Sequence, residues 1–445
     1  MYTAFDIIMI PLRYIEGIHR NLQQVSPQIL IIFFTLYYFF VSWFGLFGKK
    51  KEVKIYNESK TFALIACAHN EERVIAQLVD NLRRLNYNDA LYDIYVVADN
   101  CSDKTAEVAR KAGALVHERF SETGKGKGFA LAWMFDRLFK LDKKYDAVCV
   151  FDADNLVHPN FLQEMNSRLC NGERIIQGYM DAKNPTDTWV SGVFAISFWI
   201  VNHVWSLAKY NMGLSCCLGG TGMCFDTEVL KRYGWRATCL TEDMEFTIQA
   251  MMEGIPTTWA HDAIIYDEKP LTFKQTWNQR KRWSQGHFDV ADRYLIPMIK
   301  KAIKTRNIVM LDCSVNLIQP YFLMISTFFV LCSYIYNFYP FYTNILYTII
   351  PVEVWTLVGI GQYIFPVAVL WKIRASFKSW MYLLLYPLFI YSWIPITALG
   401  WWHRHDHEWS HTLHTRGISF DDVIIPEDAV NDGPKEVVFA KKDEK

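Results

Sequence analysis

Apolar residues are concentrated in blocks rather than spread along the 445-residue chain. Residues 28–48 carry no charge and would form a helix about 30 Å long, enough for a hydrocarbon core. Residues 379–402 are equally uncharged, and 354–371 form a shorter candidate ending at Lys372. Residues 307–351 are apolar but broken by Asp312, Pro320 and Pro340, so they read as one long span or two membrane elements. Between the first block and these three lies a different pattern. Short apolar runs ending in polar residues alternate with amphipathic stretches, which predict helices over 73–85 and 104–112. "TFALIACAHNEE", "DIYVVADNCSD" and "DAVCVFDADN" share one design, a buried strand followed by a polar loop. Strands alternating with helices predict a doubly wound α/β sheet inserted between transmembrane helices.

Charge orients this arrangement. Lys49, Lys50 and Lys51 follow the first block, which places that flank in the cytoplasm of a multi-pass protein of the cell membrane. The block lacks a small-residue cleavage site and reads as a retained anchor. Formal net charge is zero, which gives no bulk attraction for nucleic acid. The ten cysteines form no CxxC pair, as fits a reduced compartment. Residues 188–208 are a further uncharged stretch. If Asp154 before it and Asp243 after it serve one site, a single crossing between them is excluded, so 188–208 is expected to be an interfacial or buried helix.

Sheets of this class bind ligands beyond the carboxyl ends of their strands. His69, Asn70, Glu71, Asp99, Asp152 and Asp154 fall at three such ends. Asp and Asn favour turns, which explains one acidic loop but not three in succession. Paired carboxylates at Asp152 and Asp154 suit a hard divalent cation bridging substrate phosphates, and hence a nucleoside diphosphate substrate. "CLTEDMEF" adds Thr241, Glu242 and Asp243 ahead of a helical pattern. Asp243 suits a general base, although a helix cap is the plainer reading of that stretch taken alone. In "WNQRKRWSQGH", Arg282 suits a diphosphate and Trp283 a sugar face; the alternative is a basic amphipathic helix on the membrane surface, and both readings can hold.

The order "ACAHNEE", "VVADNCSD", "GKGKGFAL", "FDADN", "GGTGMCF", "LTEDMEF", "QRKRW" resembles the family 2 membrane glycosyltransferases, which include cellulose, hyaluronan and chitin-oligosaccharide synthases. The resemblance runs from about residue 62 to 290. It implies a GT-A nucleotide-sugar-binding domain with a mixed sheet, a UDP-sugar donor, and Mg²⁺ or Mn²⁺. Carried over residue by residue, it implies that Glu71 and Asp99 contact the uridine and that Lys127 lies near the nucleotide. Asp152 then contacts phosphate, Asp154 holds the metal and Asp243 is the base, with Glu242 beside it. Gln279, Arg282 and Trp283 would contact diphosphate and acceptor. Cys67 stands where the family commonly has proline. "WSHTLHTR" resembles the loops that close over bound nucleotide, which implies substrate contacts for Trp409, Thr415 and Arg416 and a cytoplasmic tail. The five histidines around it match no common zinc spacing.

The expected organisation is an amphipathic segment 1–27, an anchor 28–48 and a cytosolic transferase domain 49–270. An interfacial helix 271–300 follows, then a membrane region 301–402 and a tail 403–445. The expected activity is polymerisation of a β-linked polysaccharide from UDP-glucose or UDP-N-acetylglucosamine, coupled to export, with accessory export proteins as further partners. Asp312, Asn316 and Gln319 are candidates for lining the export path, or they sit in cytosolic first turns. The alternatives are transfer of one sugar to a lipid acceptor, or a transporter or scaffold with an inactive transferase domain.

Overall fold

The computed structural model describes residues 32–48, 51–336, 363–406, 423–424 and 438–439. The anticipated α/β domain is built on one eight-stranded sheet, in the order β3-β2-β1-β4-β7-β6-β8-β5. Its strands are β1 (Phe62–Ala68), β2 (Tyr92–Asp99), β3 (Leu115–Arg119), β4 (Ala147–Asp152), β5 (Leu156–Val157), β6 (Ile175–Ala182), β7 (Met223–Asp226) and β8 (Thr258–Asp267). The β3-β2-β1-β4 half is parallel, and β7 runs antiparallel to both β4 and β6. The sheet is therefore mixed. Cys67 of β1 is level with Val97 of β2 and with Asp152 of β4. That register puts the polar ends of the three strands in one row.

The continuous apolar runs follow from burial on both faces, the expected condition of parallel strands. Phe62, Leu64 and Ala66 of β1 face one core with Leu78 and Val79 of helix Ile75–Leu82 and Met165 of helix Phe161–Cys170. Ala63 and Ile65 face the opposite core with Leu131 and Met134 of helix Lys127–Leu138 and Phe246 of helix Glu242–Met252. Successive residues face opposite sides, and both sides are buried.

Three described helices are long and apolar enough to cross a membrane: Trp189–Asn211, Ile308–Phe328 (within Ile308–Tyr336) and Phe377–Trp402. Shorter apolar helices occupy Ile32–Phe47 and Tyr363–Lys372. Trp189–Asn211 differs from the other two in being mostly buried within the protein. Its Ile196, Trp199 and Leu207 pack with Tyr179, Trp259 and Tyr266 of the sheet and with Phe365, Val369 and Leu370 of the helix beyond. It is apolar all round because protein surrounds it. Polar side chains on it bond to β6. Trp199 Nε1 donates to Asp181 at 2.6 Å, and Asn202 donates to the Met180 carbonyl at 2.7 Å.

The helix Phe273–Thr305 opens with a capping box between Thr272 and Gln275 and joins the sheet domain to the apolar helices. Arg280 is fully buried; its guanidinium donates to Ser392 Oγ at 2.8 Å and to the Phe389 carbonyl at 3.2 Å, and lies over the Phe389 ring. The anchor helix Ile32–Phe47 comes close at Gly45, where a Cβ would lie 2.4 Å from the Val204 carbonyl oxygen. Of the three residues considered for an export path, Asp312 has another task. It pairs with buried Lys209 at 2.9 Å and accepts from Tyr37, tying three helices together.

Lys209→Met should leave the Asp312 carboxylate buried without its cation and lower stability by about 3–5 kcal/mol. Thermal unfolding in detergent is expected to show a large fall in melting temperature. Lys209→Met/Asp312→Leu should recover part of it, because a buried pair is replaced by apolar packing.

Candidate active site

The loops leaving β1 and β2 are shaped by Asn70 and Asn100, both left-handed, with φ of 56° and 51°. Asparagine tolerates this conformation better than most residues. Asn70 Oδ1 accepts from the Ser102 amide at 2.8 Å, and His69 Nδ1 donates to the Asp99 carbonyl at 2.7 Å. The two loops thus brace one another and hold Glu71 and Asp99 largely out of solvent. Asp99 is ion-paired with Arg119 at the end of β3, and Arg119 also donates to the Gly124 carbonyl at 2.8 Å. Burial raises the Asp99 carboxyl, and Arg119 opposes that shift. Sequence reasoning missed Arg119; it stands at a fourth strand end, on a strand too polar to be noticed.

Lys127 opens the helix Lys127–Leu138 just after the left-handed glycines Gly124 and Gly126. Its ammonium donates to Asp152 and, at 2.6 Å, to the Gly220 carbonyl. Burial opposes its charge, but Asp152 and Glu242 outweigh burial and hold it above its ordinary value. Lys125 is exposed on the rim of the same cavity.

Asp154 is buried, with Oδ2 accepting from the Glu268 amide at 3.0 Å and its carbonyl accepting from Lys183 at 2.6 Å. Asp267 ends β8 beside it and pairs with Lys269 at 2.7 Å. Burial raises the Asp267 carboxyl, Lys269 opposes this, and Asp154 and Asp152 add to it. Asp267, Glu268, Lys183 and Lys269 were also missed. The signal was present, since "AHDAIIYDEKP" is another apolar run ending in charges.

Glu242 and Asp243 occupy the first turn of Glu242–Met252, where an N-terminal dipole favours negative charge. The capping alternative does not describe them. Thr241 makes no side-chain cap bond, and Glu245 instead accepts from the Thr238 and Cys239 amides at 2.8 and 3.0 Å. Glu245 is the structural acid of this turn, which leaves Glu242 and Asp243 facing the cavity. Burial, and then the Asp243 charge, push Glu242 up to about 7. Burial also raises Asp243.

Arg282 and Trp283, on Phe273–Thr305, line the same cavity as these acids. Burial lowers the Arg282 guanidinium, against the opposing pull of Glu242, Asp152 and Asp243. Trp283 stacks on Phe194 at 5.9 Å and 27°, with Phe198 at 6.4 Å. Gln279 lies on the same lining.

One cavity of about 1880 Å³ joins these groups. Glu71, Asp99, Lys127, Asp152, Asp154, Glu242, Asp243, Gln279, Arg282 and Trp283 all line it. Its other end is apolar and runs between the helices Trp189–Asn211, Ile308–Tyr336 and Phe377–Trp402, past Ile200, Leu323, Ile390 and Trp393. Gln319 reaches this end, whereas Asp312 and Asn316 are not on the lining. Trp409, Thr415 and Arg416 lie outside the described residues. Among the described residues no three His, Cys, Asp or Glu side chains gather as a metal cluster.

The chain is 27% identical over 242 residues to "Probable glycosyltransferase YdaM" of Bacillus subtilis (strain 168), covering 52% of this chain and 56% of that protein. It is 26% identical over 261 residues to a "Beta-monoglucosyldiacylglycerol synthase" of Trichormus variabilis, covering 55% and 52%. The chain thus spans about half the length of the curated relatives it matches. Among solved structures, a mannosyltransferase from Pyrobaculum calidifontis in complex with GDP-Man and Mn²⁺ aligns over 78% of this chain and 97% of its own, with TM-score 0.48 and 15% identity. Residues 59–286, which contain the sheet, the acids and the Arg282–Trp283 pair, match the model described as "Glycosyltransferase like family 2", and the chain belongs to that family.

Proposed function

We propose that the chain is a membrane-bound inverting glycosyltransferase that moves a hexose from a UDP-sugar, UDP-glucose or UDP-N-acetylglucosamine, to a hydroxyl presented from the membrane side. The observation that carries this reading is the single cavity, with acids and cations at the sheet and apolar helices at its far end. Glu71 and Asp99 sit where the uridine would lie, and Lys127 and Arg282 flank the diphosphate. Asp243 removes the proton of the acceptor hydroxyl. The hydroxyl oxygen forms a bond to the anomeric carbon as the bond from that carbon to the diphosphate oxygen breaks. UDP departs with the electron pair, and attack from the opposite face turns an α donor into a β product.

The donor set fits Mg²⁺ or Mn²⁺. Asp154 is a hard oxygen ligand beside Asp152 and Asp267, and with no three-ligand cluster among the described residues the shell would be completed by phosphate and water. When bound, the cation would neutralise charge on the departing diphosphate. Asp154 would hold it, while Lys127, already on Asp152, keeps that carboxylate fixed.

The acceptor decides between the two finer readings. Polymerisation with export requires a polar path for the glycan, toward which Trp283 and Gln319 contribute. Addition of a single sugar to a lipid requires an apolar path, and Phe194, Phe198, Ile390 and Trp393 favour it. In this reading residues 49–270 face the cytoplasm and Phe273–Thr305 lies at the membrane interface. Purified protein incubated with each UDP-sugar and each metal tests the proposal by UDP release and product mass. Absence of UDP release from both donors would sink it in favour of an inactive domain.

Asp243→Asn should reduce transfer by roughly two to four orders of magnitude while UDP affinity stays near wild type. Calorimetry and turnover on one preparation check this. The rate requires the unprotonated base, and burial raises Asp243, so kcat/KM should rise with pH through a pKa above the ordinary aspartate value. Glu242→Gln removes the neighbouring negative charge, so the acidic limb of the pH profile should move to lower pH. Asp154→Ala should abolish the dependence of UDP affinity on Mn²⁺; an unchanged dependence would place the metal elsewhere.

A further inference from the structure

Helix Ile308–Tyr336 contains Pro320. Proline has no amide hydrogen, so the carbonyl four residues earlier, that of Asn316, loses its helical donor. The bond is replaced from another helix: His287 Nε2 lies 2.7 Å from the Asn316 carbonyl oxygen. A carbonyl oxygen only accepts, so Nε2 carries the hydrogen. Burial pulls His287 down to about 4, against the opposing effect of that carbonyl, so the ring is neutral and has one N–H. Nδ1 is therefore a bare acceptor. Among the described residues nothing hydrogen-bonds to it, and His287 lines the cavity.

The neighbourhood is that of the reacting groups. His287 lies one helical turn beyond Trp283, on the same helix face. The preceding residue, Gly286, sits so close to Thr241 that a Cβ would lie 2.6 Å from its Oγ1. Thr241 immediately precedes Glu242 and Asp243. On the other side, the Asn316 amide donates to Cys217 Sγ at 3.6 Å, and Cys217 feels the Asp243 charge.

A reacting hydroxyl has one proton, and in the proposed mechanism Asp243 takes it. The lone pair at His287 is thereby left for a different donor. We propose that His287 Nδ1 accepts a hydrogen bond from a second hydroxyl of the acceptor, so that the site selects a saccharide terminus over a lone alcohol. The inference rests on the transferase reading above. It deepens that reading by naming the acceptor as a glycolipid or glycan end rather than a lipid bearing a single hydroxyl. His287 touches the acceptor as a specificity residue and takes no proton from it.

The test uses full-length protein in mixed micelles with the better UDP-sugar donor and two acceptors, glucosyl-dioleoylglycerol and dioleoylglycerol. Wild type should prefer the glucosylated lipid. His287→Gln keeps a donor for the Asn316 carbonyl but moves the acceptor atom, and the ratio of kcat/KM between the two lipids should fall about ten-fold, the scale of one hydrogen bond, mainly through KM. UDP affinity measured on the same sample should be unaltered, which shows a folded donor site. His287→Asn, which returns a polar atom near the Nδ1 position, should recover part of the preference. The inference is overturned if wild type shows no preference or transfers to neither lipid. It is also overturned if His287→Gln keeps the wild-type ratio, or loses both acceptors and UDP affinity together. Failure of the transferase reading looks different: wild type then releases no UDP from any donor.

Discussion

Carboxylates converge on one edge of the sheet, and like charges in a low-dielectric setting repel strongly unless each is balanced. The architecture around the site answers that constraint. Arg119 pairs with Asp99, Lys127 with Asp152, Lys183 with Glu268 and Lys269 with Asp267. Each cation comes from a different segment, so the balance is reached only when the sheet is complete. Among the described residues no cation pairs directly with Glu242 or Asp243, and burial raises both. The unbalanced pair is where proton chemistry is proposed, and the balanced acids are where substrate is held. Lys269, besides pairing with Asp267, lies over the Phe198 ring at 3.2 Å, so one buried side chain touches both an acid and an aromatic ring of the cavity wall.

The apolar helices meet a different demand, that of bringing a hydrophobic environment to a polar site. Trp189–Asn211 stands between the sheet and the outer helices and is apolar toward both. Its polar atoms turn to Asp181, Met180 and Asp312, which fixes its rotation. Phe194 and Phe198 are thereby presented to Trp283. The tryptophan that would face a sugar is held by aromatic rings on one side, which makes it a rigid platform.

Much of this was legible from the residues. The strand ends at Glu71, Asp99 and Asp152, the pair in "TED" and the Arg282–Trp283 step all arise from local patterns: an apolar run that stops, a helix that begins, two residues on one helix face. The reading of 188–208 as an interfacial or buried helix followed from requiring Asp154 and Asp243 in one site; the helix Trp189–Asn211 is mostly enclosed. The counter-charges were not legible, because Arg119, Lys183 and Lys269 have no local reason to be where they are. Their partners are set by strand register and by the β8 end. Arg280 illustrates the same limit. In sequence it looks equivalent to Arg282, yet two residues along a helix is roughly 200°, so the two guanidiniums point to opposite sides. One reaches the cavity and the other the Phe389 carbonyl.

Asp312 and Asn316 were read as polar groups in an apolar stretch, which narrows them to functional or boundary roles. Each is accounted for by a contact between helices. Asp312 closes a charge pair with Lys209, and the Asn316 carbonyl accepts from His287 in place of the amide donor that Pro320 cannot supply. The proline has two consequences. It breaks the hydrogen-bond ladder of a long helix, and it creates a carbonyl that requires a donor from elsewhere. His287 supplies the donor and, in doing so, has its tautomer determined. A backbone defect in one helix thus fixes the chemical character of a side chain on another, at the place where donor and acceptor would meet. An ordinary residue at 320 would satisfy the Asn316 carbonyl within its own helix and leave the His287 ring free to present either nitrogen.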